Sequence, residues 1–231
     1  MNLRRLRIVL VLLPALFVLA ACGGSGKLSA TNGSVPAETA TTPTRTVTYA
    51  EPVSTMEPTI QCGPGSSDPG LPGSPPNLGC TGVANDHVAV EEPAPPIRRL
   101  DIIIFHRQRE ADSRCGAGRP FIQRVIGLPG DVVREDDHGF IWIKIPGGAK
   151  FVKLNEPYVS ASSRLADRAH FGHTWHVPDG YYFMLGDNRS QPLAPAVGGP
   201  GSCDSRTLDN GAVSPRGIIG KVVRIIRPSS G

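Results

Sequence analysis

Hydrophobic and polar positions divide the chain into three stretches. Residues 8–21 are nearly all apolar and follow the basic Arg4, Arg5 and Arg7. That run is shorter than the roughly 20 residues a spanning helix needs, and Pro14 interrupts it. The pattern fits the apolar centre of an export signal over residues 1–21. Residues 22–46 are rich in Gly, Ser, Thr, Ala and Pro with almost no large apolar side chains. Such a segment cannot bury a core, which predicts a flexible tether. From Val47 onward short apolar runs recur: "HVAV" (87–90), "RLDIIIF" (99–105), "FIQRVIG" (121–127), "DVVRE" (131–135), "FIWIKI" (140–145), "KFVKLN" (150–155), "YYFMLG" (181–186) and "IIGKVVRII" (218–226). Most are rich in Ile, Val and Phe and end at Gly, Pro, Asp or Asn, which predicts strands. "FIWIKI" shows little polar alternation, as expected of a strand covered on both faces. No long stretch has helical periodicity, and no repeat is present. The pattern therefore predicts one all-β domain over residues 47–228, built from twisted antiparallel sheets.

Composition sharpens this picture in three places. With 27 Gly and 23 Pro, the chain is rich in turn-formers, in keeping with many short strands. A net charge of +4 is mild, and basic residues are no denser near any aromatic cluster, so nucleic acid is not an expected partner. Leu19-Ala20-Ala21-Cys22 resembles the lipobox of bacterial lipoproteins, which implies acylation at Cys22 and a lipid-anchored domain on the outer face of the cell membrane. An ordinary secretory signal with a coincidental cysteine, or an uncleaved short anchor, are the other readings. Four cysteines follow, Cys62, Cys80, Cys115 and Cys203, and an even count in an exported chain suggests two disulfides. Three pairings exist. A local Cys62–Cys80 bridge would staple the flexible loop between them and leave Cys115–Cys203 as the long-range pair. A reactive thiol at Cys203 is the competing view, and no neighbour in sequence is placed to activate it.

Four segments, in order, resemble the type I signal peptidase family, serine–lysine peptidases that cut leader peptides from exported proteins. "PVSTMEPTI" (52–60) looks like the nucleophile box, typically Pro-Ser-Gly-Ser-Met-x-Pro-Thr. "LDIIIF" (100–105) looks like the strand box, "FIQRVIGLPGD" (121–131) is close to the lysine box, and "LGDNRS" (185–190) with "SCDSR" (202–206) looks like the final box. "LNEPYV" (154–159), "VPDGYYFMLGDN" (177–188) and "GIIGKV" (217–222) also fit. The resemblance implies coiled β-sheets with a shallow groove that takes an extended peptide as an added strand. It also implies a chemistry in which a serine hydroxyl attacks the scissile carbonyl. A desolvated neutral lysine accepts its proton, while a serine hydroxyl and a backbone N–H stabilise the oxyanion.

The chemical positions depart from that pattern. Aligned on Met56, Pro58 and Thr59, the nucleophile position holds Thr55, the preceding Gly is Ser54, and the oxyanion-donating Ser is Val53. The general-base Lys becomes Gln123, while the Arg after it is kept as Arg124. The methyl group of a threonine restricts χ1 and crowds a site shaped for serine. A neutral amide cannot accept a proton near neutral pH, and losing a positioned base costs about 10²–10⁴ in rate. A rescue would have Ser54 attack with Lys144, Lys150 or Lys153 as base. The supporting residues are kept: Arg124, Asp187, Arg189, Asp204 and Arg206 match residues that the family uses for charge-assisted pairs under the catalytic loop. Ser202 matches a serine that orients the lysine. Twelve residues, 190–201, separate Arg189 from Ser202 where the family has about two, which predicts a flap beside the groove.

His170, His173 and His176 recur at a spacing of three, but no further ligands accompany them, so no metal and no cofactor are expected. Asp136 and Asp137 read as a solvated turn. The sequence thus points to a lipid-anchored, signal peptidase-like domain that binds an extended peptide, an exported preprotein or an envelope partner without cutting it. An active, divergent peptidase using Thr55 or Ser54 is the rival reading, and a purely structural envelope protein a third.

Overall fold

The computed structural model describes residues 45–50, 54–64, 80–106, 120–166, 168, 170–189, 204–207 and 212–228. Among the described residues, ten strands form two antiparallel sheets: β1 (Arg45–Ala50), β2 (His87–Glu92), β3 (Ile102–His106), β4 (Pro120–Gly127), β5 (Val132–Glu135), β6 (Ile141–Lys144), β7 (Val152–Lys153), β8 (Thr174–His176), β9 (Phe183–Leu185) and β10 (Ile218–Ile226). The six-stranded sheet has the order β1-β2-β10-β3-β4-β9, and the four-stranded sheet the order β7-β6-β5-β8. The expected all-β class therefore holds. No helix among the described residues is long and apolar enough to cross a membrane.

Alternation along β4 decides what each face receives. Ile122, Arg124 and Ile126 share one face, and Phe121, Gln123 and Val125 the other. On the first face, Ile122 joins Met56, Ile60, Val88, Val90 and Ile104. Further along that face, Ile126, Phe183 and Leu185 pack against Val133, Ile141 and Ile143, which is how the two sheets are held together. The opposite face builds a third cluster of Ile103, Phe105, Val125, Met184 and Val213. Arg124 thus lies between two apolar clusters, where a guanidinium needs partners.

Several expectations change. β1 begins at Arg45, inside the stretch read as tether, because Arg45 and Tyr49 both reach Glu92 across the β1–β2 pair. "FIWIKI" does alternate: Ile141 and Ile143 are buried while Trp142 and Lys144 are half-exposed. The outer face of that strand is covered by cations on aromatic rings, with Arg134 over Phe151 at 4.5 Å and Lys153 over Phe140 at 3.1 Å. A short helix, α1 (Ala161–Ala166), and the strand β8 lie where neither was expected. Both are too short to leave a periodic signature. Of the two cysteine bridges, Cys62–Cys80 is formed; Cys22, Cys115 and Cys203 lie outside the described residues, as do residues 190–201.

Asp136 is more than a solvated turn residue. Its carboxylate accepts from the backbone N–H groups of His138 and Phe140 and from Trp142 Nε1 at 2.8 Å. Partial burial works against the charge, but these three donors outweigh it and hold the carboxyl below its ordinary value. A depressed folded pKa contributes stability above the unfolded value of 3.8 and loses it as pH falls through the folded value. Urea unfolding followed by Trp fluorescence should therefore show a midpoint that drops below about pH 4. Asp136→Asn should lower the midpoint at pH 7 and flatten the drop below pH 4. A variant with the same acid slope as the parent would contradict this role.

Candidate active site

The segment aligned with the nucleophile box folds as a 3-10 turn, Ser54–Met56, resting against β4. Met56 is fully buried and anchors the turn in the cluster of Ile122 and Ile104. Its carbonyl accepts from Ile60 N, closing the chain after the turn. Thr55 is half-buried, and its carbonyl accepts from Asn188 N at 3.0 Å. Gly186 passes so close that a Cβ there would lie 2.5 Å from Thr55 O, so only glycine fits beneath the turn. Val53 and Ser202 lie outside the described residues.

Beneath the turn sits Asp187, fully buried. Arg124 grips it with two hydrogen bonds, Nε to Oδ1 at 2.8 Å and Nη2 to Oδ2 at 2.6 Å. Thr59 Oγ1 donates to the same carboxylate at 2.5 Å. The third arm of the guanidinium, Nη1, donates to Leu100 O at 2.9 Å. Leu100 is held at φ 73°, a strained region for a bulky residue, and this turns its carbonyl toward Arg124. Burial works against the charge on Arg124, but the hydrogen bonds and negative charge of Asp187 prevail and raise its pKa.

A second carboxylate continues the network. Arg124 stacks over the ring of Tyr158 at 4.0 Å, and Tyr158 donates to Glu156 Oε1 at 3.2 Å. The buried Glu156 also binds Arg189 Nη2 at 2.6 Å and Arg164 Nη1 at 3.2 Å. Arg189 Nε returns to Gly186 O at 2.8 Å, and its backbone N–H reaches Ser163 Oγ on α1. Burial, followed by the charge of Glu156, pushes the Tyr158 phenol well above its ordinary value despite Arg189 and Arg124 nearby. Asp204 and Arg206 pair separately, at 2.8 Å, with Glu135 of β5 3.5 Å from Arg206.

Gln123 occupies the other face of β4, opposite Ile103, and is 1% exposed. The lysines offered as replacement bases lie elsewhere. Lys144 and Lys153 sit over Phe151 and Phe140 on the four-stranded sheet, and Lys150 is exposed in the connection between β6 and β7. Lys221 shares the cross-strand row of Gln123 through Ile103, but its ammonium lies 3.5 Å from Asp101. His170 and His173 pack edge to face, with Trp175 beside them. Among the described residues, one cluster has metal-ligand composition, Glu57 with Cys62 and Cys80, and its sulfurs are joined in the disulfide.

The model of the signal peptidase, peptidase S26, family matches residues 76–226, well over half of the chain. The chain belongs to this family. The match begins after the Ser54–Met56 turn; the Thr55 carbonyl and the Thr59 hydroxyl hydrogen-bond to Asn188 and Asp187 within the matched region. Signal peptidase I of Bacillus caldolyticus is 34% identical over 137 residues, covering 55% of this chain and 60% of that protein. Signal peptidase I of Pseudomonas fluorescens is 32% identical over 142 residues, covering 54% and 44%. The chain thus spans less than two thirds of the length of these relatives. A crystal structure of a signal peptidase I from Enterococcus faecalis is 27% identical, covers 56% of this chain and 99% of its own, and has a TM-score of 0.39.

Family motifs in the sequence singled out Thr55, Met56, Gln123, Arg124, Asp187 and Arg189; the structure pairs Arg124 with Asp187 and sets Thr55 against Asn188, with Gln123 on the other face of β4. They did not single out Glu156, Tyr158 or Asn188, although "LNEPYV" and "GDNR" contain them. Charge balance was the available signal: Arg189 and Arg164 need buried acids, and Glu156 is the one they share. Asp187→Ala leaves Arg124 buried without its carboxylate and should cost about 3–5 kcal/mol in urea unfolding. Adding Arg124→Leu should recover part of that loss. A cost below about 1 kcal/mol for Asp187→Ala, the level of an exposed pair, would contradict the network.

Proposed function

We propose that this S26 family member is a peptide-binding pseudoenzyme, carried on the outer face of the cell membrane by a lipid at Cys22. The observation that carries this reading is a neutral glutamine, Gln123, buried at the position that aligns with the lysine and next in sequence to the paired Arg124, on the opposite face of β4. An amide accepts no proton, so a hydroxyl at Thr55 or Ser54 has no base on β4 to activate it. Val53 brings no donor, and one lost oxyanion contact costs about 10²–10³ in rate. The losses do not multiply, because such groups act as a unit, yet together they leave little catalysis. Recognition asks less. An extended leader segment binds through main-chain hydrogen bonds to a strand edge and through small pockets for alternate side chains, none of which needs a nucleophile. Exported preproteins, or a partner in the envelope that presents an extended segment, have the required chemistry.

The full chain, purified in detergent, should bind a fluorescent Ala-x-Ala leader peptide in an anisotropy titration and leave it intact by mass spectrometry. Thr55→Ala should change the affinity by less than about threefold, since this reading gives the hydroxyl no covalent role. Joint Val53→Ser, Thr55→Ser and Gln123→Lys replacement should raise cleavage at least about 100-fold over the parent. Cleavage by the parent that Thr55→Ala abolishes would overturn the proposal in favour of an active threonine or serine peptidase.

A further inference from the structure

The side chain of Glu57, the residue that follows the Ser54–Met56 turn, is hydrogen-bonded to Cys62 and to Thr81 beside Cys80, the two ends of the Cys62–Cys80 disulfide. Glu57 is 5% exposed, and its carboxylate accepts three hydrogen bonds from the residues flanking the bridge. Cys62 N and Thr81 N both donate to Oε1 at 3.0 Å, and Thr81 Oγ1 donates to Oε2 at 2.6 Å. Backbone bonds complete the unit: Gly82 N to Cys62 O at 3.1 Å and Asp86 N to Gln61 O at 2.8 Å. On its other side Glu57 is one bond from Met56, whose carbonyl holds Ile60 N, and two residues from Thr55, whose carbonyl holds Asn188 N. The bridge, the carboxylate and the turn are therefore one connected structure.

The chemistry of the bridge is asymmetric. Cys62 is fully buried, while Cys80 is half-exposed. An external thiolate can approach the Cys80 sulfur, forming a mixed disulfide there and expelling Cys62 as the leaving thiolate. That thiolate would appear 3.6 Å from Glu57 Oε1, beside a buried negative charge. A repelled leaving group departs slowly, so Glu57 shields the disulfide against thiols. With a dithiol reductant, its second sulfur then attacks the mixed disulfide and releases Cys80. The reductant ends as its own disulfide, and its two protons and two electrons pass to the cysteines.

We propose that Glu57 is a positioning residue that makes the Ser54–Met56 turn responsive to the redox state of Cys62–Cys80, resting on the reading of this turn as the peptide-facing site. In the oxidised state the bridge fixes Cys62 and Thr81 as donors, and Glu57 locks the turn against Asn188. Once the bridge is reduced, Cys62 and Cys80 are no longer tied together, the donor set of Glu57 loosens, and the turn follows.

Hydrogen exchange on the full chain in detergent, read by NMR, tests this without a peptide, so its outcome is separate from that of the binding experiment. With Cys62→Ala and Cys80→Ala together, exchange at the Ile60 and Asn188 amides should rise at least about tenfold while β5 and β6 amides keep their protection. Unchanged exchange at Ile60 and Asn188 would overturn the proposal, as would a rise shared equally by β5 and β6, since that describes a staple for the whole domain. A second measurement keeps the native cysteines: Glu57→Gln should speed reduction by dithiothreitol about tenfold, followed by alkylation of Cys62 and mass spectrometry. Equal rates in parent and variant would remove Glu57 from this role.

Discussion

One buried ion pair organises the region around the turn. Arg124 and Asp187 meet through two hydrogen bonds, and each makes a further hydrogen bond in this region. Asp187 fixes Thr59 at the exit of the turn, and its chain neighbours Gly186 and Asn188 lie under and against Thr55. Arg124 fixes the strained Leu100 carbonyl and stacks on Tyr158, which hands the network on to Glu156 and Arg189. Taking such charges out of water costs several kcal/mol per ion, and an apolar replacement of equal volume is often neutral or stabilising. Stability alone gives little reason to keep the pair. Its geometric value is clearer: two hydrogen bonds at fixed angles hold a loop more narrowly than packing does.

This separates the scaffold from the chemistry. The charged groups that shape the site lie on one face of β4, with Met56 and Thr59 against them, and they match the family pattern. Gln123 lies on the other face, among Ile103, Val125 and their cluster, where a lysine would be stripped of water and held neutral. On the proposed reading, a glutamine there has a reach similar to that of lysine without the titrating nitrogen, so packing would be kept while the proton acceptor is lost. Gly186 lets the chain pass directly beneath Thr55, and the Asp187 carboxylate holds Thr59. On the proposed reading, this scaffold serves recognition of an extended peptide.

How much was legible in the sequence follows from the range of each signal. Strands such as "IIGKVVRII" were readable because β-branched runs ending at turn residues declare themselves locally, and β10 occupies that run. The pairing of the two sheets was not readable, because it depends on Phe183 and Leu185 of one sheet meeting Ile141 and Ile143 of the other. "FIWIKI" misled for a physical reason: Trp142 looks like a core residue, but its indole N–H reaches Asp136 and its face lies within 6 Å of Arg134. At the site, ordered motifs gave Arg124 and Asp187. Glu156 needed the fold, since a glutamate between Asn155 and Pro157 gives no sign that two distant arginines converge on it.

The central claim is that the lysine site persists as a buried, dry position from which the base is missing. Its most direct test is the titration of the ammonium introduced by Gln123→Lys, followed by NMR in the full chain with that lysine selectively labelled. Burial on the apolar face of β4 predicts a midpoint at least about 2 pH units below the ordinary lysine value of about 10.4. A midpoint within about half a unit of that value would mean that water reaches the position. The surviving scaffold could not then be read as one built around a neutral lysine.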